Sequence, residues 1–374
     1  MAHAYTPGLK VLPLTLIKKK RTLPIPGKVL VSEGKEVDAL DVVAEAQIPG
    51  KVYSVNVANR LGITPAEMKN YLIKKPGDSV KKGEVIAETK PFIRFLRSQV
   101  VSPITGTLDS ISEVTGQVLF REPPKILPLK AYIKGKVVKV EQNFGVEIET
   151  EGTFIQGIFG IGGETNGEIR VAVDTPDEEL LPEHIKDSDR EKIIVGGKHA
   201  GIETIKKAIK IGVNAIVVAG IHDKDLRQLL GYDIGVAVTG TEKIGITIIT
   251  TEGFGQIRMA EYTFKLLKAR EGEKASVSGA TQIRAGVMRP EIIICGAPKN
   301  MDVKRKDESR TWMEIGDRIR IIREPYFGLI GRVSNLPPQP TIIQTESHVR
   351  ILEVELETGE KVIVPRANVE LLEQ

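Results

Sequence analysis

The sequence predicts a multidomain protein in which β units at both ends flank an α/β unit with a mostly parallel sheet. Three observations lead to this prediction. A motif is repeated in the first third of the 374-residue chain, buried strands alternate with helices in the middle, and short alternating strands around a glycine turn close the C-terminus. The hydrophobic fraction of 41% and the charged fraction of 27% are ordinary for a globular protein with a substantial core.

Composition excludes several classes of function. The net charge of +4 is too small by itself to indicate nucleic-acid binding. Cys295 is the only cysteine, so one chain cannot form a disulfide, an iron–sulfur cluster or a cysteine zinc site. The five histidines are scattered without metal-ligand spacing. We therefore expect no metal and no cofactor.

The basic run Lys18-Lys19-Lys20 is not followed by the apolar segment of a signal peptide. The chain also lacks an apolar run of about 18 residues, the length that indicates a membrane-spanning helix. We expect a cytoplasmic protein with no direct membrane insertion, in which residues 1–22 are an N-terminal extension.

The first third contains an internal repeat, because residues 33–45 align without gaps on residues 76–88. Each copy leads to a proline–glycine corner, Ile48-Pro49-Gly50 in the first and Ser102-Pro103-Ile104-Thr105-Gly106 in the second. The phrases GDSVKKGEVIAE and SPITGTL resemble the barrel-sandwich hybrid fold of biotinyl and lipoyl carrier domains. The resemblance covers roughly Leu23 to Glu122 and implies a β domain over residues 23–128.

The carrier resemblance raises the question of a modified lysine. The nearest candidate is Lys90, in Glu88-Thr89-Lys90-Pro91. In carrier domains the modified lysine lies in a tight hairpin, whereas Pro91 and the ten residues Phe92 to Val101 separate Lys90 from Ser102 here. We therefore expect a lipoyl-like structural or docking barrel without a prosthetic group.

Residues 129–180 have the pattern of a β-rich connector. Residues 136–140 and 145–150 alternate as a hairpin does. Gly160 and Gly162 form a loose G-x-G match, but a strand follows at residues 167–173 where the dinucleotide fingerprint requires a helix. Tight β-turns explain these glycines, and a dinucleotide site is rejected.

Residues 190–298 have the pattern of an α/β domain. Predicted strands at 192–195, 214–220, 234–240, 246–250 and 290–295 are continuous apolar runs, and helices are predicted at 202–211, after residue 223 and at 259–267. In such folds ligands bind beyond the carboxyl ends of the strands.

The turns at these strand ends are rich in Gly, Thr and His, and a later segment adds arginine. Backbone N–H groups, hydroxyls and a guanidinium suit a small anionic metabolite. Glycines at strand-to-helix turns also have a purely geometric explanation, and Glu252 in the turn 251–255 opposes an anion. The candidate ligand-binding residues are Gly197, His199, Thr239, Thr241, Thr250, Thr251, Gly253, Gly255, Gln282 and Arg284. No catalytic constellation is complete.

After a charged linker at 299–311, residues 312–374 contain Gly316-Asp317-Arg318-Ile319 and Tyr326-Phe327-Gly328-Leu329-Ile330-Gly331-Arg332-Val333. These motifs resemble a KOW domain, the SH3-like β-barrel of ribosomal proteins and of the transcription elongation factor NusG. KOW barrels bind RNA or protein, and six glutamates in this segment oppose phosphate. The resemblance implies an RNA contact through Arg318, Arg320, Tyr326, Phe327 and Arg332.

Three hypotheses about function follow. The first is a non-enzymatic modular scaffold or adaptor in a cytoplasmic multiprotein assembly, with protein partners or a homo-oligomer. The second is a ligand-binding or enzymatic α/β protein that recognises a small anionic metabolite. The third is an RNA- or transcription-associated factor that acts through the KOW unit. Fold resemblance alone does not choose among them.

Overall fold

The protein is described by a computed structural model, which is mostly β with mixed sheets. The described residues are 9–89, 97–232, 242, 244–281, 288–298, 313–321, 325–326, 329–339, 341–342, 348–356 and 358–373. Lys90, Thr239, Thr241, Gln282, Arg284, Phe327, the predicted strand at 234–240 and the linker at 299–311 lie outside them. The first described element is β1 (Leu9–Thr22).

The first unit consists of short strands in small sheets. Its strands are β2 (Lys28–Val29), β3 (Glu36–Val37), β4 (Val42–Ile48), β5 (Val52–Asn56), β6 (Ser79–Val80), β7 (Val85–Glu88), β8 (Gln99–Val101), β9 (Gly106–Ser112), β10 (Gln117–Arg121) and β11 (Lys125–Lys130). Helix α1 (Val57–Leu61) and a 3-10 helix (Pro65–Asn70) follow β5. The sheet orders are β5-β10-β9-β6, β11-β4-β2 and β7-β8.

The sequence repeat is also a structural repeat. Strands β3 and β4 of the first copy match β6 and β7 of the second, position for position. A carboxylate closes the same turn in both copies: the Asp38 N–H donates to Asp41 Oδ2 and the Lys81 N–H donates to Glu84 Oε2, each at 2.8 Å. The repeated phrase therefore encodes one strand–turn–strand element twice.

The middle of the chain contains nine strands and three helices in its described part. The strands are β12 (Gly135–Glu141), β13 (Gly145–Gln156), β14 (Phe159–Ile161), β15 (Glu164–Val171), β16 (Ile193–Val195), β17 (Ala215–Ile221), β18 (Thr247–Phe254), β19 (Lys274–Ser278) and β20 (Glu291–Cys295). The helices are α2 (Ile202–Ile211), α3 (Asp223–Leu230) and α4 (Glu261–Ala269), with 3-10 helices at Pro182–His184 and Asp187–Asp189. The hairpin predicted over 136–150 is present as β12 and β13.

The sheet of this region is mixed. Strands β15 to β18 run parallel, with Ile169 opposite Ile193, Ile193 opposite Ala215, and Ala215 opposite Thr247. Antiparallel strands lie on both sides, β14 next to β18 and β19 next to β15. The parallel arrangement is confined to four strands, and β15 of the predicted connector is one of them. The segments predicted to be a connector and an α/β domain thus share one sheet and one core.

The C-terminal unit is a small set of antiparallel strands around its own apolar core. The strands are β21 (Arg318–Ile321), β22 (Ile330–Asn335), β23 (Thr341–Ile342), β24 (His348–Val349), β25 (Ile351–Leu356), β26 (Lys361–Pro365) and β27 (Val369–Glu373), with a 3-10 helix at Arg366–Asn368. Ile319 and Ile321 of β21 point into the core, as the alternating sequence predicts.

Strand β1 joins the middle region and the C-terminal unit into one sheet, whereas the first unit contributes only β3, which pairs with β12. It pairs antiparallel with β13 along most of its length and parallel with β27 at its start, where Leu9 lies opposite Leu372. The resulting strand order is β14-β18-β17-β16-β15-β19-β20-β13-β1-β27-β21-β22-β25-β26. Residues 9–22, predicted as part of an extension, therefore lie near the centre of the largest sheet.

The basic run of β1 is neutralised within the fold. Each of its three lysines, and the adjacent Arg21, meets a glutamate of a different strand, and the nitrogen–oxygen distances lie between 2.5 and 3.2 Å. The pairs are Lys18–Glu149, Lys19–Glu291, Lys20–Glu141 and Arg21–Glu164. These ion pairs connect β1 to β13, β20, β12 and β15.

Candidate functional site

The carboxyl edge of the four parallel strands brings together every predicted ligand-binding residue that the structure describes. Gly197 and His199 follow β16, Thr250, Thr251 and Gly253 lie near the end of β18, and Gly255 follows it. These residues share one edge because β16, β17 and β18 are parallel neighbours, so that their carboxyl ends lie side by side. Whether the edge is open to a ligand depends on what covers it.

The segment Thr251–Gly255 was predicted as a turn, and this prediction is wrong for most of it. Strand β18 continues to Phe254, and Gly253 lies opposite Gly220 of β17. The physical reason is close backbone packing, because a Cβ at Gly220 would lie 2.2 Å from the carbonyl oxygen of Gly255. Two glycines on neighbouring strands let the pairing continue where side chains would have stopped it.

The two threonines of this strand are inside the protein. Thr250 is fully buried, and its Oγ1 donates to the carbonyl oxygen of Phe159 at 3.3 Å. Thr251 is 1% exposed, and its hydroxyl has no hydrogen-bond partner among the described residues. Neither hydroxyl is accessible to a solvent-borne ligand in this conformation.

Glu252 forms a buried ion pair with Arg320 of the C-terminal unit. Arg320 Nη1 lies 2.5 Å from Glu252 Oε2 and donates to the Glu252 carbonyl oxygen at 3.2 Å. The second carboxylate oxygen accepts the Ala260 N–H at 3.1 Å, at the residue that precedes α4. Both side chains are at least 95% buried. The Glu252 carboxylate, whose charge would repel an anionic ligand, thus faces a guanidinium of the same chain.

A covering segment, defined here as residues 174–180, lies over the turn after β16. The Glu178 carbonyl oxygen accepts the Lys198 N–H at 2.9 Å, and the Leu180 N–H donates to the His199 carbonyl oxygen at 2.8 Å. A Cβ at Gly197 would lie 2.6 Å from the Glu178 carbonyl oxygen. Gly197 therefore accommodates the covering segment, and its glycine identity has a packing cause.

His199 is the centre of a buried polar cluster under this segment, and it is 3% exposed. Its Nδ1 lies 3.4 Å from Glu179 Oε1, its Nε2 lies 3.5 Å from Asp225 Oδ2, and its ring is 4.6 Å from that of His222. Burial is the largest effect and lowers the pKa of His199, while Glu179 opposes this shift. A neutral imidazole flanked by carboxylates is suited to accept a proton at low pH.

Sequence reasoning missed the partners of this cluster. Neither Glu179 nor Asp225 is among the candidate site residues. The sequence signal for the cluster is that His199 and His222 each follow a strand of the predicted, mostly parallel sheet. Among the described residues, no group of three or more His, Cys, Asp or Glu side chains is placed to hold a metal ion.

The predicted RNA-binding residues of the C-terminal unit are divided by the structure. Arg318 and Arg332 lie opposite each other on β21 and β22, and Tyr326 is half-buried. Arg320 is 2% exposed, so its predicted contact with a phosphate is contradicted. Its guanidinium contacts Glu252 of β18, and the two charges form an ion pair.

Comparison with known proteins leaves the family open. The sequence matches no protein-family model, and it matches no curated protein. Within the described residues, no helix combines the length and the apolar character needed to cross a membrane.

Proposed function

We propose that the protein is a non-enzymatic modular scaffold or adaptor subunit of a multiprotein assembly in the cytoplasm. In this proposal a lipoyl-like barrel-sandwich hybrid unit and a KOW unit with an SH3-like barrel present docking surfaces. The middle α/β unit and β1 hold the two at fixed positions.

The observation that carries the proposal is the buried Glu252–Arg320 pair. At the carboxyl edge, where an α/β protein usually binds its substrate, Glu252 is buried against Arg320 of the chain's own C-terminal unit. A sheet edge used to fix two units together supports a structural role better than a catalytic one. The continuous strand order through β1 supports the same role.

Exposed apolar side chains on terminal strands indicate where partners would dock. Ile126 lies on β11 and Ile363 on β26, each at the end of its sheet's strand order and each 63% exposed. Edge strands with exposed branched residues are favourable for pairing with another chain. The RNA hypothesis is less well supported, because Arg320 is buried.

Purification of the tagged full-length chain from its source cells, with chemical crosslinking before lysis, tests the proposal. We expect protein partners in fixed stoichiometry, crosslinked to lysines of residues 23–128 and 312–374. Ile126→Lys and Ile363→Lys are each expected to remove a partner. Val114→Lys is the matched control, because Val114 is 88% exposed in a turn between β9 and β10. A chain that crosslinks only to itself and elutes alone would contradict the proposal.

A further inference from the structure

The amino ends of the parallel strands differ from the carboxyl edge because they border an open cavity of about 560 Å³. One wall is the start of β15 with Glu191 and Asn214, the residues near the starts of β16 and β17. The opposite wall belongs to the first unit and includes Ala39 and Lys130. A cavity of this size between two units of a chain falls within the usual range of small-molecule sites.

Some of the charged side chains that line this cavity have ion-pair partners, and others do not. Two of its carboxylates have cationic partners: Glu164 accepts two hydrogen bonds from Arg21, at 2.7 and 2.8 Å, and Glu168 lies 3.2 Å from Lys192. Lys130 and Lys274 also line the cavity, and neither ammonium group has an ion-pair partner within the described part of the chain. The unmatched charge on the walls is therefore mainly positive.

Neutral polar groups and one carboxylate complete the lining. Asn214 Nδ2 donates to the carbonyl oxygens of Asn166 and Glu191, at 2.7 and 3.0 Å, and so connects β15 to the residues that precede β16 within one wall. The Asn166 amide and the Glu191 carboxylate are not used by any hydrogen bond or ion pair among the described residues. Such groups bind hydroxyls, since an amide both donates and accepts and a carboxylate accepts.

The backbone of the cavity is strained in two places. Among the described residues only three non-glycine residues have positive φ angles, and two of them, Tyr132 at 72° and Glu191 at 62°, line the cavity. A buried aromatic residue in the left-handed region is a conformational outlier, and such outliers concentrate at ligand sites. Tyr132 is held in this conformation by hydrogen bonds from its N–H to Ala39 and from Ser276 Oγ to its carbonyl oxygen.

We propose that this cavity binds a small hydroxylated anion, such as a sugar phosphate or a sugar acid. Lys130 and Lys274 bind the phosphate or carboxylate group, and Asn166 and Glu191 bind the hydroxyls. A simple anion lacks partners for Glu191, and a neutral sugar leaves both lysines unmatched, so the lining favours a molecule with both features. This proposal does not rest on the scaffold function and can fail independently of it.

Isothermal titration calorimetry on the full-length chain tests the site with four probes: ribose 5-phosphate, gluconate, glucose and inorganic phosphate. We expect saturable binding of ribose 5-phosphate or gluconate, weaker binding of inorganic phosphate, and no binding of glucose. The first two probes separate a phosphate-bearing from a carboxylate-bearing ligand. Tighter binding of glucose or inorganic phosphate than of both hydroxylated anions would overturn the proposal.

The double substitution Lys130→Ala/Lys274→Ala is expected to weaken binding of the better probe about tenfold or more, because two charge-assisted contacts are lost. The matched control is Lys125→Ala/Lys136→Ala, which removes two exposed lysines outside the cavity lining and should leave the affinity unchanged. Equal loss of affinity in both double variants, or absence of binding by any probe at millimolar concentration, would overturn the proposal. Circular dichroism on both variants checks that the fold is retained.

Discussion

The two ends of the four parallel strands have opposite characters. At the carboxyl end the covering segment 174–180, the C-terminal unit and the buried pair Glu252–Arg320 fill the space. At the amino end a polar cavity separates the mixed sheet from the first unit. The general rule that ligands bind at carboxyl ends describes an exposed edge. Here the described polar residues of this edge, among them His199, Thr250 and Glu252, are buried in contacts within the chain.

The largest effect on stability is expected at the buried ion pair of the carboxyl edge. Arg320→Met leaves the Glu252 carboxylate buried without its guanidinium, which should lower the free energy of unfolding by about 3–5 kcal/mol. Denaturant titration followed by hydrogen exchange across β18 and β21 measures this effect.

Two further variants sharpen the test of the ion pair. Adding Glu252→Gln to Arg320→Met should recover part of the loss, because no unpaired charge is then buried. Arg318→Met, on the same strand and half-buried, should cost less than about 1 kcal/mol. A loss below about 1 kcal/mol in Arg320→Met would show that the carboxyl edge is not closed by this pair.

The next effect concerns the glycine that lets β17 and β18 approach. Gly220→Ala would place a Cβ 2.2 Å from the Gly255 carbonyl oxygen, so the strands must separate, at a cost of about 1–3 kcal/mol. Gly201→Ala is the control, because Gly201 has an ordinary φ of −77° and the nearest atom to its Cβ position, His199 Cε1, is 3.9 Å away. Thermal unfolding of both variants should show the larger decrease in Tm for Gly220→Ala; equal decreases would contradict the close packing.

A smaller, pH-dependent effect is expected at His199. Burial lowers the pKa of His199 in the folded protein below its usual value of 6.5, so the unfolded state takes up a proton at higher pH than the folded state does. Stability is therefore full above about pH 6.5 and falls as the pH decreases through the interval between the two pKa values. His199→Gln should reduce this slope in unfolding experiments at a series of pH values.

The control for the pH experiment is a histidine that lies outside the group of titratable side chains around His199. Glu179 lies on the covering segment, while His222 and Asp225 lie at the start of α3, and all three are retained in His199→Gln. His184→Gln removes a histidine near the covering segment but outside the cluster. If His184→Gln flattens the slope and His199→Gln does not, the buried cluster is not the source of the pH dependence.

The smallest effect on stability is expected at the amino end. Lys130→Ala and Lys274→Ala should each change the free energy of unfolding by less than about 0.5 kcal/mol, because both side chains are exposed and without ion pairs in the described residues. Denaturant titration checks this. If either variant lowered the free energy of unfolding as much as Arg320→Met does, the amino end would be as important for stability as the carboxyl end, and the contrast between the two ends would be lost.

The sequence allowed prediction of local structure in considerable detail. The aligned phrases at 33–45 and 76–88 became matching strands and turns because a strand–turn–strand element depends on glycine, a carboxylate and alternating apolar residues close in sequence. The helix predicted at 202–211 has the same bounds as α2, because its apolar spacing and the Gly212 cap are local signals. The buried apolar runs between helices likewise predicted a mostly parallel sheet, and β16, β17 and β18 are parallel, although the order of the strands was not predicted.

The predicted ligand site shows that local sequence patterns do not reveal contacts between distant segments. Thr250, Thr251 and Glu252 have the composition of a binding turn, yet a glycine on β17 extends their strand and Arg320, 68 residues away in sequence, neutralises the carboxylate. The basic run of β1 is a second example, since four glutamates from four different strands match its charges. Spacing within one segment contains no information about such distant partners.

The sequence by itself determined the repeat, the hairpin of β12 and β13, helix α2 and the buried strands β16 and β17. Only the tertiary structure decided that β1 joins the middle region to the C-terminal unit, that the described residues of the carboxyl edge are mostly buried, and that the amino edge borders a cavity. The physical reason is that secondary structure follows from interactions between near neighbours. Exposure and charge pairing depend on which distant surfaces meet, and here one buried arginine changes a candidate ligand edge into an interface.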